Sequence, residues 1–159
     1  MEWEKQRTWA QISLPALEHN YRALRAMLPA GCRFLGVVKA NAYGHGAVSV
    51  AKKLVELGSE MLAVACLDEA LELRRAGIVA PILILGITPV QFAGQVVEHD
   101  ITQTVFTMEL AKALSEAAGR QGKTARVHIK LDTGMSRVGV LAHDADRAAR
   151  EVADRKSVV

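Results

Sequence analysis

The sequence has little of what marks several large protein classes. Its two cysteines, Cys32 and Cys66, are far apart and form no C-x-x-C pair, which argues against a disulfide framework and a zinc ribbon. Four prolines and 12 glycines in 159 residues leave no collagen-like or low-complexity tract. A single unit over residues 1–159 with no internal boundary is therefore expected. Aromatic residues make up 4%, and 20 Lys+Arg are scattered among 17 Asp+Glu for a net charge of +3. That is a weak basis for nucleic-acid binding, and none is expected. No apolar run approaches the roughly 20 residues that span a bilayer, so no membrane partner is expected either. The opening Met1–Trp9 is charged and lacks the apolar core of a signal peptide, which points to a reducing cytoplasm with unpaired structural thiols. H-E-x-x-H, G-x-S-x-G, G-x-G-x-x-G and P-loop patterns are missing as well. This counts against the familiar zinc, serine-hydrolase, dinucleotide and nucleotide chemistries.

What is present is half hydrophobic and 23% charged, a composition that suits a globular α/β unit. Trp9–Ser13 alternates like a short strand. Ser13 and Pro15 then open a helix toward Met27, with Leu17, Tyr21, Leu24 and Leu28 on one face. Apolar runs at Phe34–Val38, Met61–Ala65, Pro81–Leu85, Ile101–Phe106 and Arg126–Leu131 read as strands. Helical spacing covers Gly46–Leu57, Asp68–Arg75, Pro89–His99, Met108–Ala118 and Ala142–Asp154. Alternation at this spacing is the signature of βα units on a parallel sheet. The length suits a doubly wound sheet of five strands and is short of the roughly 200–250 residues of a closed (β/α)₈ barrel. Motif position favours the barrel, because Lys39, Asp68, Thr88 and Asp132 fall where strands end, the place for barrel chemistry.

Lys39 follows Leu35-Gly-Val-Val38 directly. Its stem would lie in an apolar wall with the ammonium at the strand's end. Desolvation there disfavours the charged form, which is what a lysine needs to attack a carbonyl and hold a Schiff base. The next residues, Ala40-Asn-Ala-Tyr-Gly-His-Gly46, place Asn41, Tyr43 and His45 in one glycine-rich turn. The bland alternative is a lysine snorkelling to water beside an ordinary turn.

The second cluster is Lys130-Leu-Asp-Thr-Gly-Met-Ser-Arg-Val-Gly139. Alternation puts Arg126, His128, Lys130 and Asp132 on one face of a strand. This suggests a polar-lined cavity with Arg137 near its mouth, suited to a carboxylate or phenolate. A solvated edge strand explains the same pattern equally well. His143, Asp144 and Asp146 read as an acidic helix start, His19 as surface and His99 as a loop residue. Arg74 and Arg75 read as partners of a helix dipole. No metal site is expected.

Val37-Val-Lys-Ala-Asn-Ala-Tyr-Gly-His-Gly46 resembles the lysine motif of the bacterial alanine racemases. The resemblance extends over Trp9-Ala-Gln-Ile-Ser, Asn20, Ala63-Val-Ala with Asp68-Glu-Ala, Arg75-Ala-Gly-Ile, Pro81–Gly86 and Lys130–Gly139. It implies a pyridoxal-phosphate enzyme that interconverts L- and D-alanine for peptidoglycan synthesis, as a homodimer of a (β/α)₈ barrel and a C-terminal β domain. Lys39 would form the Schiff base with the cofactor and act as acid/base on the face from which the D-enantiomer loses its α-proton. Tyr43 would bind the cofactor phosphate, and Leu85 would pack near the cofactor. Arg137 would meet the cofactor's phenolic oxygen and the substrate carboxylate. Lys130 matches a lysine often carbamylated in the family, where it positions that arginine. The family's second base is a tyrosine of the C-terminal domain, contributed by the partner subunit. The expected architecture is thus a partial barrel of about five βα units, the later strands and β domain missing, with little or no turnover by itself. The closing Asp154–Val159 does not read as a further barrel strand. Alternatives are a non-catalytic pyridoxal-phosphate-binding barrel and a racemase for serine or another amino acid.

Overall fold

Apolar runs become strands and amphipathic stretches become helices in regular alternation. The computed structural model describes residues 7–159; residues 1–6, most of the charged opening segment, lie outside them. The chain runs α1 (Leu14–Ala26), β1 (Leu35–Val37), a short turn α2 (Lys39–Tyr43), α3 (Ala47–Glu56), β2 (Met61–Val64), α4 (Leu67–Arg75) and β3 (Ile82–Ile84). It continues with α5 (Ala93–Glu98), β4 (Thr102–Val105), α6 (Met108–Gln121), β5 (Val127–Ile129), β6 (Leu131–Asp132), β7 (Val140–Leu141) and α7 (Ala145–Ala153). Single 3₁₀ turns, Val90–Phe92 and Ala142–Asp144, lead into α5 and α7.

The first five strands form one sheet in the order β1-β2-β3-β4-β5, every neighbouring pair parallel. A doubly wound sheet reverses its order at a switch point; this one never does. Right-handed crossovers then put every helix on the same side. The architecture is a partial (β/α)₈ barrel.

Its two faces differ. On the convex side Val38, Leu62, Val64, Ile82, Ile84 and Val105 join Leu54, Leu73 and Leu114 in one core. On the concave side Leu35 and Val37 are 36% and 41% exposed, whereas Val38 is fully buried. Side chains alternate along a strand, which puts Leu35 and Val37 on the concave face, and Lys39 follows just past the end of β1. Arg126 and His128 also face that side, lining with Leu35, Met61 and Thr102 a cavity of about 460 Å³ at the strands' N-terminal ends.

Polar groups tie the layers together. Ser13 Oγ accepts from Ala16 N–H at 3.3 Å, the expected cap of α1. The Glu60 carboxylate accepts from Phe34 N–H at 2.6 Å and pairs with Arg25 at 3.4 Å, joining α1 to the strand starts. The Phe34 hydrogen bond, helped by Arg25, holds Glu60 below the usual carboxylate value. Arg74 does more than complement a helix dipole: its guanidinium donates to the carbonyls of His99, Ile78, Ala80 and Asp100.

Several expectations need correction. Trp9–Ser13 forms no strand and joins neither sheet, because alternation without a neighbouring ladder leaves extended coil. Leu17, Tyr21 and Leu24 do share one side of α1, but Leu24 is 54% exposed, lining with them a groove beside the open edge of β1. Cys66 is exposed, not a core thiol. The tail does begin a further strand. Val159 N–H donates to the Ala125 carbonyl at 2.9 Å and Val127 N–H to the Val159 carbonyl at 2.8 Å, with a parallel bridge between Ala125 and Val158. Ser157, Val158 and Val159 are suited to this by small size and β-branching.

Candidate active site

The strand ends carry the polar groups. Directly after β1 the backbone turns left-handed: φ is 50° at Ala40, 53° at Asn41, 51° at Ala42 and 54° at Tyr43. Each such L-residue costs about 1–2 kcal/mol, so the surroundings must over-determine the turn. Of the two glycines of this turn, Gly44 prolongs the left-handed path that non-glycine residues have begun, with φ at 87°.

Four contacts hold it. Ala42 N–H donates to the Val38 carbonyl at 2.9 Å. Asn41 Oδ1 accepts from Ala47 N–H at 2.7 Å and so caps α3. His45 Nδ1 lies 2.9 Å from the Ala42 carbonyl. The two oxygens of Glu69 accept from Ala40 N–H and Ala65 N–H, each at 2.7 Å. The result brings together two residues singled out from sequence: Lys39 Nζ stands 5.9 Å from the centre of the Tyr43 ring, within cation–π range. Lys39 is half-buried and Tyr43 is 62% exposed.

Along the sheet, Leu85 is half-buried at the end of β3, its N–H bonded to the Val64 carbonyl at 2.9 Å. Beyond it, Thr88 Oγ1 donates to Gln103 Oε1 at 2.6 Å, and Gln103 Nε2 donates to the carbonyls of Gly86 and Thr104 at 2.9 and 2.8 Å. Both side chains are buried. The only hint of Gln103 in the sequence is a polar residue inside an otherwise strand-like run.

The Lys130–Gly139 segment sits at the far edge of the sheet. Alternation keeps Arg126, His128 and Lys130 exposed and Val127 and Ile129 half-buried, as expected. It stops there. Lys130 donates its N–H to the Val105 carbonyl and accepts from Val140 N–H, handing the chain from β4 to β7. Asp132 therefore leaves that face, and its Oδ1 accepts from Gly134 and Ser136 N–H, both at 3.0 Å. The Ser136 and Gly134 hydrogen bonds hold the Asp132 carboxyl below its usual value. Gly139, at φ 139°, closes the loop where a Cβ would stand 2.5 Å from the Asp132 nitrogen. Lys130 and Arg137 are exposed, and neither side chain hydrogen-bonds another described residue. They lie at the β5 end, four strands from Lys39 and Tyr43.

Other candidates are ordinary. His143 pairs with Asp144 at 3.2 Å on the turn before α7, and His19 and His99 are exposed. Among the described residues no group of three or more His, Cys, Asp or Glu is placed to hold a metal. No helix among them is long and apolar enough to cross a membrane.

Known proteins resemble this chain over nearly its whole length. Residues 12–159 match the family described as alanine racemase, N-terminal domain. The chain is 50% identical over 145 residues to alanine racemase 2 of Caldanaerobacter subterraneus subsp. tengcongensis, covering 91% of this chain and 37% of that protein. It is 49% identical over 150 residues to the alanine racemase of Desulfovibrio desulfuricans, covering 94% and 40%. Among solved structures, the alanine racemase of Clostridium difficile 630 superposes with a TM-score of 0.93 at 38% identity, over 96% of this chain and 40% of that one. A histidine racemase from Leuconostoc mesenteroides subsp. sake gives 0.84 at 32% identity, over 93% and 40%. The chain thus spans about two-fifths of the length of these relatives. With a family match over nearly its whole length, the chain belongs to the alanine racemase N-terminal domain family.

Proposed function

We propose that the chain supplies the lysine-bearing part of a cytoplasmic, pyridoxal-phosphate-dependent alanine racemase whose product serves peptidoglycan synthesis. The observation that carries this reading is the Lys39–Tyr43 turn: a primary amine just past the end of β1 with a phenol beside it. That donor set, together with the Arg137 guanidinium, fits an aldehyde that bears a phosphate and a phenolic oxygen. Bound there, pyridoxal phosphate supplies the electron sink that makes an α-proton removable.

The chain's own groups then divide the work. Lys39 Nζ anchors the cofactor and carries the α-proton on the face from which the D-enantiomer loses it. The Tyr43 hydroxyl binds the phosphate, and Leu85 packs near the ring. The Arg137 fork meets the phenolic oxygen and the substrate carboxylate, and a carbamylated Lys130 orients that arginine. Racemisation needs a second acid/base group on the opposite face of the α-carbon. By the family resemblance it comes from the C-terminal domain of the partner in a homodimer, so the 159-residue polypeptide on its own turns over little or no alanine. Alanine is the proposed substrate because these relatives are alanine racemases, as is the similar Clostridium difficile 630 protein solved in complex with cycloserine. The histidine racemase neighbour keeps open a different amino acid on the same scaffold.

Borohydride reduction in the presence of pyridoxal phosphate, followed by intact mass and peptide mapping, tests the reading. One adduct on Lys39, lost in Lys39→Ala, is expected. Adducts spread over surface lysines, or none on Lys39, would overturn it. Sustained racemisation by the purified chain would overturn the part about turnover.

A further inference from the structure

The β1–β2 ladder ends abruptly at the lysine. Its last bond runs from Val38 N–H to the Ala63 carbonyl at 2.8 Å. Continued in the same parallel register, the ladder would send Ala65 N–H to the Val38 carbonyl and Ala40 N–H to the Ala65 carbonyl. Neither bond forms. The Val38 carbonyl is taken by Ala42 N–H of the left-handed turn, and the Ala65 carbonyl lies against Gly86. Both stranded donors go instead to one carboxylate, Glu69, through separate oxygens at 2.7 Å each. Glu69 sits in the first turn of α4, so a rigid element carries the acceptor. Ala40 N–H belongs to the peptide that joins Lys39 to the turn, and its direction is set together with the Lys39 backbone.

We propose that Glu69 is a positioning residue: by bridging Ala40 and Ala65 it parts β1 from β2, locks the left-handed turn and so fixes where Lys39 presents its amine. The inference rests on Lys39 being the reactive amine proposed above. An anion suits the place because two N–H groups converge on it, and a charge-assisted pair is stronger than two ladder bonds to neutral carbonyls. The bond to Ala65 is close to the usual reach of a Glu at this position back to its own helix start; the second oxygen goes further, to Ala40 beyond the end of a different strand.

The test compares the 159-residue chain with Glu69→Ala and Glu69→Gln. Three measurements are made: amide hydrogen exchange, backbone chemical shifts of residues 40–43, and the rate at which borohydride traps pyridoxal phosphate on Lys39. Urea unfolding of each variant checks that it remains folded. In Glu69→Ala, exchange at Ala40 and Ala65 should rise roughly tenfold or more, the effect of losing a bond to a charged acceptor. Trapping on Lys39 should fall by a similar factor, while Leu62 and Leu85 amides stay protected. Glu69→Gln keeps one acceptor oxygen and should recover part of both. Unchanged protection, or trapping at the parent rate in a folded Glu69→Ala, would overturn the proposal. If the parent chain takes no adduct on Lys39, the proposed function falls. The role of Glu69 is then decided by the shifts alone: loss of the left-handed signature at 40–43 supports it, and retention overturns it.

Discussion

The Arg74 guanidinium donates to the Asp100 carbonyl at 3.0 Å, tying the last turn of α4 to the residue just past the C-cap of α5. Asp100 itself has a positive φ of 50°, so this bond also secures a strained turn. Three further carbonyls, of His99, Ile78 and Ala80, converge on the same group. Partial burial lowers the Arg74 value while the nearby Asp100 charge raises it. Arg74→Ala should cost about 2–4 kcal/mol of stability by leaving several carbonyls unpaired. Arg74→Lys should recover less than half, since a point charge cannot span donors spread over a planar fork. Equilibrium urea unfolding of the two variants checks both numbers.

Thr88 and Gln103 form a buried pair at 2.6 Å. Thr88→Val keeps the shape and removes the donor, so Gln103 Oε1 loses its partner. A loss of about 1–3 kcal/mol is expected, the cost of one unsatisfied buried acceptor. A double substitution with Gln103→Leu should lose less than the sum of the singles, which a double-mutant cycle measures.

Much of this framework was legible in the sequence, for reasons of range. Five strands and the helices between them follow from local periodicity, and Lys39 and Tyr43 meet because one turn of backbone separates them. The conformation of that turn was not legible. Nothing in Ala40-Asn-Ala-Tyr43 demands a left-handed path; the demand comes from Glu69, a helix away. Gln103 and Arg74 escaped for the same reason, their partners being carbonyls and a hydroxyl on other elements. The strand face running from Arg126 broke at Lys130 because β7 takes over the pairing, and the tail's strand needed β5 as its template.

Acidification should loosen the loop that carries Arg137. The Asp132 carboxyl titrates below its ordinary 3.8 because Ser136 and Gly134 N–H groups bond the charged form. A lowered folded-state value means that the contribution is fully present above the unfolded value and is lost as pH falls through the folded one. The Gly134 and Ser136 amide resonances should therefore hold steady down to about pH 4 and shift together below it. Asp132→Asn should abolish that inflection.

Gly139 admits no side chain. Its φ of 139° and the 2.5 Å approach of a built Cβ to the Asp132 nitrogen combine backbone strain with collision against main chain. Gly139→Ala should destabilise the chain by about 2–4 kcal/mol. It should also break the hydrogen bond from Val140 N–H to the Lys130 carbonyl, seen as faster exchange of the Val140 amide. Normal exchange and unchanged stability would show that the loop adapts.

The sheet order has a consequence for how the polypeptide assembles during synthesis. From β1 through β5 each strand lies beside the one made just before it, and Ser157–Val159 returns to Ala125–Val127 after the small β6-β7 pair. No strand must wait for a later one to complete its inner neighbour, so a nascent chain can add strands one at a time as they leave the ribosome. Contacts between consecutive units keep the loops to be closed short, which favours rapid, vectorial growth over a single late collapse.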